Sequence, residues 1–297
     1  MTFSDFTYRI CNRLLRCLSP YLSDSLFVKL SFRHKKGYWM DFDHPQTFCE
    51  KMQWLKLNNK REDFTLMVDK TEAKKYVASI IGEEYIIPTF GVYNNFEEID
   101  FNKLPNQFIL KCTHNSSGGV ICKDKETFDI EIAKKHFDIY FKQEYFIQNR
   151  EYPYKNVPHR IIAEQFMVNE KDKELKDYKF FCFNGKAEYC QLIADRSSDE
   201  TIDFYDREWN HQEFIGLNPK ANFAKVQEKK PYNYSEMVDI ADRIATKINA
   251  PFVRIDLYNI NKKIYFGEIT FFPLTGLGEF RPKEWDNKLG SMIELTL

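Results

Sequence analysis

Apolar and polar positions change period several times along this 297-residue chain, and the changes mark its elements. From Pro45 to Asn59, in PQTFCEKMQWLKLNN, the apolar residues recur at helical spacing. A second helix is expected over VDKTEAKKYVASII, Val68 to Ile81, with Asp69 at the cap and Glu72 three residues later in the pattern of a capping box. Strand-like runs follow: YIIPTFGVY, then Phe108 to Cys112, then a return strand at Val120 to Cys122. A helical segment around Ile130 to Phe146 separates these from RIIAEQFMV, Arg160 to Val168, which reads as a buried strand. In DYKFFCFNGKAEYCQLI, Asp177 to Ile193, two strand-like runs flank Asn184-Gly185, a pair suited to a two-residue type I′ turn because both of its residues take positive φ. A helix near Glu236 to Lys247 precedes a second hairpin, FVRIDLYNINKKIYFGEIT, Phe252 to Thr270. Antiparallel strands with flanking helices make the class α+β.

The composition excludes some functions. A hydrophobic fraction of 43% allows a real core, and a formal net charge of -1 supplies no global field toward nucleic acid or membrane. No apolar run reaches the roughly 18 residues of a spanning helix. The seven cysteines are odd in number, contain no C-x-x-C pair and follow no secretory signal, so free, mostly buried thiols in a reducing cytoplasmic setting are expected. Residues 1–40 differ locally: Arg9, Arg13, Arg16, Lys29, Arg33, Lys35 and Lys36 outnumber Asp5 and Asp24 among aromatic and aliphatic residues. Two readings stand side by side there, peripheral docking at an anionic membrane surface and a helix packed on the body with a solvated basic face.

Chemistry concentrates in two stretches. FILKCTHNSSGGVIC, Phe108 to Cys122, ends an apolar strand on Lys111 and follows it with a small-residue loop. The loop leads into a strand and lacks the G-x-x-x-x-G-K-[ST] spacing, so it is not a P-loop. Its backbone N–H groups, with Gly118 and Gly119 permitting close approach, could fold over phosphate oxygens beside Lys111; the alternative is a plain surface hairpin. In the last hairpin, alternation puts Arg254 and Asp256 on one face, and a loop of three or five residues places Asp256 opposite Glu268 and Arg254 opposite Thr270. Only an even-numbered loop separates the carboxylates. Opposed carboxylates require a cation between them, either Mg2+ completed by nucleotide phosphates or Arg254 itself.

With these parts in this order the chain resembles the ATP-grasp superfamily of carboxylate-amine ligases. Asp69-Lys70 opens a helix, FILK precedes its glycine loop, and IIAEQFM, DYKFFCFNG, RID and EIT follow, over roughly residues 65 to 275. It is most similar to the teichuronopeptide-biosynthesis-like polysaccharide branch through PQTFCEKMQWLKL, LPNQFILKCTHNSSGG, DYKFFCFNG and FVRIDLYNINKKIYFGEITFFP. The resemblance implies an ATP-grasp fold of two α+β subdomains with antiparallel sheets gripping ATP. Residues 1–64 would form a helical N-terminal segment, 65–163 the first lobe with the glycine loop, and 164–297 the second lobe with the metal site. It implies ATP and Mg2+ as cofactors: Lys70 and Lys111 on the α and β phosphates, Ser116, Ser117, Gly118 and Gly119 closing over the phosphate tail, and Glu164 with the backbone of Gln165, Phe166 and Met167 reading adenine. Asp177 and Lys179 fall at ribose and phosphate contacts, Arg254 at the developing oxyanion, and Asp256 and Glu268 at the metal. Thr270 departs from the family's E-x-N metal signature, and its oxygen remains a candidate to ligate Mg2+ or orient its water. Arg196 and Arg207 are candidates to meet an acyl phosphate, and His114 to stabilise the loop.

The implied reaction joins an amine or amino acid to a small or lipid-linked sugar acid through an acyl phosphate, in making a capsular or cell-surface polysaccharide in the cytoplasm, with residues 1–40 able to hold the enzyme at the inner face of the membrane. No nucleic-acid partner is expected. Two rivals remain: a metal-dependent glycosyltransferase using the D-x-D triplet Asp41-Phe42-Asp43, and a non-catalytic nucleotide-binding partner of the polysaccharide machinery.

Overall fold

The structure, a computed structural model, describes residues 13–116, 119–168, 175–194, 200–218 and 220–295. Helix α1 (Asp24–Lys36) starts where the Ser23 side chain accepts from the Leu26 N–H and ends at Gly37, whose φ of 84° is left-handed. Phe27, Val28 and Phe32 form its buried stripe, so this part of the basic segment is a docked helix. Helix α2 (Phe48–Asn58) carries a full capping box, in which Thr47 accepts from the Glu50 N–H and the Glu50 carboxylate accepts from Thr47.

The box expected at Asp69 does not form. A short helix α3 (Phe64–Val68) stops there, and α4 (Glu72–Ile81) begins after Thr71. One Asp69 oxygen accepts from the Thr71 N–H, while Arg160 takes the other at 2.7 Å and Glu72 at 3.4 Å. The guanidinium has drawn both acids out of capping geometry.

Strands β1 (Thr89–Tyr93), β2 (Phe108–Cys112), β3 (Gly119–Cys122) and β4 (Ile161–Gln165) form a four-stranded antiparallel sheet in the order β1-β4-β2-β3. Between β3 and β4 the expected single helix is divided into α5 (Ile130–Tyr140) and α6 (Tyr145–Asn149). The buried members of this sheet's core run from Phe96 to Ala163.

The remaining elements are β5 (Asp177–Phe183), β6 (Lys186–Ala194), β7 (Thr201–Asp206), β8 (His211–Gln212), β9 (Ile215–Leu217), α7 (Tyr234–Ile248), β10 (Phe252–Ile260), β11 (Lys263–Thr270), β12 (Glu279–Arg281) and α8 (Glu284–Ser291). Six of the strands make a second antiparallel sheet in the order β11-β10-β5-β6-β7-β8, and β9 pairs with β12. Asn184 and Gly185 take φ of 48° and 85°, as the I′ turn between β5 and β6 demands. Met237, Ile240, Ala241, Ile244, Ala245 and Ile248 give α7 an apolar face at helical spacing, laid on β5, β6 and β10. The other face of the sheet has Phe181 and Phe252 packed on Phe48 of α2. Further along these strands the same face turns polar. Buried residues of α2, α3 and α4 belong to this larger core, so the helices that precede the four-stranded sheet in sequence pack with the six-stranded one. Among the described residues no helix is long and apolar enough to cross a membrane.

Candidate active site

Strand alternation gathers the polar face. Asp256 of β10 lies opposite Lys179 of β5, and on its other side opposite Glu268 of β11, while Arg254 lies opposite Thr270. The route to that pairing differs from the expected odd loop. The turn is Asn261 and Lys262, at φ 52° and 66°, with Ile260 paired to Lys263. Such a turn alone would put the carboxylates on opposite faces. A bulge between Asp256 and Leu257 inserts Gly267 into β11 and restores the register. Glycine suits that point, because a Cβ would lie 3.0 Å from both the Asp256 carbonyl oxygen and Tyr258 Cε2, tighter than such contacts usually are.

The cation between the carboxylates belongs to the protein. Arg254 Nε and Nη2 reach Asp256 at 2.6 and 2.7 Å, and Nη2 also donates to Glu268 Oε1 and Thr270 Oγ1 at 3.1 Å each. Lys179 Nζ closes on Asp256 too, with Asp177 3.7 Å away. Burial disfavours the Asp256 charge, but Arg254 and Lys179 outweigh it and hold the carboxyl below its ordinary value. Burial opposes the Arg254 charge in the same way; Asp256 and Glu268 outweigh it and hold the guanidinium above its ordinary value.

The repulsion that argued for a metal is therefore already relieved. Asp256, 2% exposed, has both oxygens engaged by Arg254 and Lys179, so a metal ion there would share the carboxylate with them. Glu268 fits better, with a side chain 39% exposed and Thr270 Oγ1 3.3 Å from its Oε1. Among the described residues no three His, Cys, Asp or Glu gather to hold a metal ion. A Mg2+ ion fits here as a partner of Glu268 that takes the rest of its shell from phosphate and water.

The other half of the site comes from the four-stranded sheet. Lys111 on β2 and Glu164 on β4 share one face of adjacent strands. Lys111 Nζ stands 2.7 Å from Glu164 Oε2, and Lys74 of α4 closes on Oε1. Burial alone would raise the Glu164 carboxyl; the two lysines pull it down to about 2. Glu164 is thus committed to holding lysines, and the exposed or half-buried Gln165, Phe166 and Met167 run on from it, the Gln165 N–H donating to the Pro88 carbonyl at 2.9 Å. Helical spacing already sets Lys74 on the stripe that buries Ala73, Val77 and Ile81 and Lys75 away from it, but its partner Glu164 lies far off in sequence.

Lys70 links the two halves. Its amine donates to the Asn115 carbonyl oxygen in the loop after β2. Burial pushes it down, Glu268 of β11 is the strongest charge holding its proton, and Lys111 opposes. Glu268 and Arg254 also act on Tyr145 and Tyr154, and Ser116 Oγ donates to Tyr145 Oη at 3.0 Å, tying the loop to α6. Ser117 and Gly118 lie outside the described residues, as does Arg196. Gly119 pairs with Lys111, and a Cβ there would meet nothing nearer than 3.6 Å, so packing does not demand glycine.

Other candidates prove structural. His114 stacks on His159 at 3.7 Å, and burial pushes it down to about 4, which leaves it a neutral anchor of the loop. Arg207 is taken by Asp242 at 2.8 Å. Free Cys49, Cys112, Cys122, Cys182 and Cys190 are buried, and Cys17 is exposed. Beside Arg254 and Lys179 opens a cavity of about 810 Å³, whose wall includes residues of α1 and the turn at Leu274 and Thr275.

A family model described as TupA-like ATP-grasp matches residues 50–294. Similar solved structures include D-alanine–D-alanine ligase from Bacillus anthracis complexed with ATP, at 16% identity over 77% of this chain and 63% of that one, with a TM-score of 0.44. D-alanine–D-alanine ligase from Helicobacter pylori gives 14% identity, 78% and 60% coverage and a TM-score of 0.43. The ATP-grasp ligase PsnB complexed with minimal precursor, Mg and ADP gives 10%, 75% and 57%, and 0.39. The chain spans less than two thirds of the length of each of these three proteins. No curated protein matches it.

Proposed function

The chain belongs to the TupA-like ATP-grasp family, and from that premise we propose that it is an ATP-dependent carboxylate-amine ligase. The observation that carries the reading is the setting of Lys70, whose amine donates to the Asn115 carbonyl after β2 while Glu268 of β11, itself held by Arg254, is the strongest charge acting on it and Lys111 opposes. Cations suited to phosphates thereby share one electrostatic neighbourhood with an acid suited to a metal.

In the first step a substrate carboxylate attacks the γ phosphorus of ATP and displaces ADP, leaving an acyl phosphate. Lys70 and Lys111 hold phosphate oxygens in line, Ser116 at the start of the loop stands near them, and the backbone of Gln165 to Met167 borders the base. In the second step an amine adds to the acyl carbon and the tetrahedral intermediate expels phosphate. Arg254, kept protonated by Asp256, stabilises the oxyanion, and Lys179 supports the same charge. Glu268 would hold Mg2+, which when bound would supply charge neutralisation at the phosphates. No side-chain nucleophile takes part. The family likeness favours a sugar acid, such as a hexuronic acid, joined to an amino acid or other amine for a capsular or cell-surface polysaccharide.

The glycosyltransferase reading loses support at its own motif. Asp41 Oδ1 accepts from the Asp43 and His44 N–H groups at 2.8 and 3.1 Å, a turn ahead of α2 in which that oxygen is bound to backbone.

The test is magnesium-dependent ADP release by the purified protein, with sugar acids crossed against amines. ADP that appears only with one acid and one amine establishes the ligase. Glu268→Gln and Lys111→Ala are expected to lower turnover by about 100-fold or more while the fold is kept. Near wild-type turnover in either variant removes the site assignment, and nucleotide binding without ADP from any pair favours a non-catalytic nucleotide-binding protein.

A further inference from the structure

The cavity beside the reacting centre has an uneven charge. Arg254 and Lys179 line it, and Arg16, Lys35, Lys56 and Lys220 face Glu200 and Glu279 around the rest. Several of these are already engaged. Lys35 and Glu279 are 3.4 Å apart. Lys56, buried, donates to Thr275 Oγ1 and the Thr275 carbonyl at 2.6 Å each and to the Asn149 carbonyl at 3.0 Å. Arg16 and Lys220 are exposed and form no ion pair among the described residues. A positive surplus thus lies in the same cavity as the oxyanion-binding pair.

Other parts of the cavity wall are anchored. Helix α1 contributes Phe27, Val28 and Ser31, and it lies before residue 50, where the family match begins. Arg150, 5% exposed, holds the start of α1 through Ser19 Oγ at 3.0 Å, the Leu22 carbonyl at 3.2 Å and Asp24 at 2.9 Å, with its guanidinium 4.7 Å from the Phe27 ring centre. Another part of the wall is the turn at Leu274 and Thr275, whose φ of 46° and 54° are left-handed, a conformation that residues with a Cβ avoid. Gln53 holds this turn by donating to the Thr275 and Gly276 carbonyls at 3.2 and 2.8 Å, alongside Lys56. Strain retained by such anchoring marks a surface that is shaped for a ligand.

We propose that this cavity is the acceptor site and takes a sugar acid bearing a second anion of phosphate type. The carboxylate meets Arg254 and Lys179, and the phosphate meets Arg16 and Lys220. The proposal rests on the ligase reading, because that reading puts the reacting carboxylate at Arg254. A volume of about 810 Å³ exceeds what one amino acid fills and accommodates a sugar phosphate or a sugar nucleotide. Both present the same phosphate chemistry.

The test is calorimetric titration of the full chain, with AMP-PNP and Mg2+ present, using glucuronate, glucuronate 1-phosphate and UDP-glucuronate. The wild type is expected to bind a phosphorylated acid about tenfold more tightly than glucuronate, since two charge-assisted contacts are added. In the Arg16→Ala, Lys220→Ala double variant that advantage falls below about threefold, while the affinities for glucuronate and AMP-PNP stay unchanged. Tighter binding of UDP-glucuronate than of the 1-phosphate identifies the nucleotide as the source; equal binding identifies the sugar phosphate. Equal wild-type affinity for acids with and without phosphate overturns the proposal, as does equal loss for all three acids in the variant. AMP-PNP is also titrated alone. Absence of nucleotide binding overturns the ligase reading and the acceptor assignment with it, whereas nucleotide binding without any acid overturns the second alone.

Discussion

Replacing Glu164 with glutamine removes one negative charge from between Lys74 and Lys111 and keeps the side-chain volume. Glu164 is 3% exposed, with Lys111 2.7 Å from one oxygen and Lys74 against the other. The two ammonium groups bring its carboxyl from 4.5 to about 2. A native value below the unfolded one adds stability that is complete above the unfolded value and disappears as pH falls through the native one. The difference corresponds to about 3 kcal/mol at pH 7 and to roughly half of that at pH 3. This agrees with the roughly 3–5 kcal/mol lost when one partner of a buried ion pair is removed. Urea unfolding of wild type and Glu164→Gln, followed by circular dichroism at pH 7, 4 and 3 at one ionic strength, measures it. The variant should show an unchanged slope and a lower midpoint, with a deficit near 3 kcal/mol at pH 7 that shrinks on acidification because only the wild type loses the pair. A deficit below about 1 kcal/mol at pH 7, or one that stays constant down to pH 3, refutes the claim that Glu164 is ionised and held by two lysines.

Gly267→Ala puts a Cβ 3.0 Å from the Asp256 carbonyl oxygen and the Tyr258 ring. Urea unfolding should show a loss of about 1–3 kcal/mol, and ADP release should fall because the strand must shift Glu268; unchanged values would mean the bulge tolerates a side chain. Lys262 occupies the second left-handed position of the turn, φ 66°, so Lys262→Gly, giving Asn-Gly, should raise stability by about 0.5 kcal/mol in the same assay, and a loss would contradict the turn type. Arg207→Ala should leave the affinity for nucleotide unchanged while lowering the melting temperature, since its partner is Asp242; weaker nucleotide binding would return it to the site.

What was legible in the chain depended on whether a residue answers to its neighbours in sequence or to distant ones. Asn184-Gly185 was readable because both residues meet a local backbone demand, and both take positive φ. Thr47 and Glu50 cap α2 for the same kind of reason. Asp69 and Glu72 have similar spacing, yet Arg160 lies against both and the box fails. The shared face of Asp256 and Glu268 was anticipated with the wrong loop. The apolar alternation changes phase at the bulge, with Ile264 and Phe266 buried before Gly267 and Ile269 after it, so a reading that runs one period through β11 misses the slip.

Lys74 and Lys75 stand side by side in α4, but one is pinned against Glu164 and the other has a side chain 70% exposed. Helical spacing puts Lys74 on the buried stripe with Ala73, Val77 and Ile81, and the register of β4 then supplies its partner. That register matters for the chemistry. Lys70 already feels Lys111 as an opposing charge, and Lys74 feels it too. Three lysines brought into one cleft repel one another, and phosphate is absent whenever the site is empty. A buried carboxylate that pairs two of them directly lowers that repulsion before nucleotide arrives, just as Asp256 does for Arg254 and Lys179 in the other sheet. The acids that look like ligand contacts in the motif strings therefore act first on the protein's own cations, which they keep charged and in position.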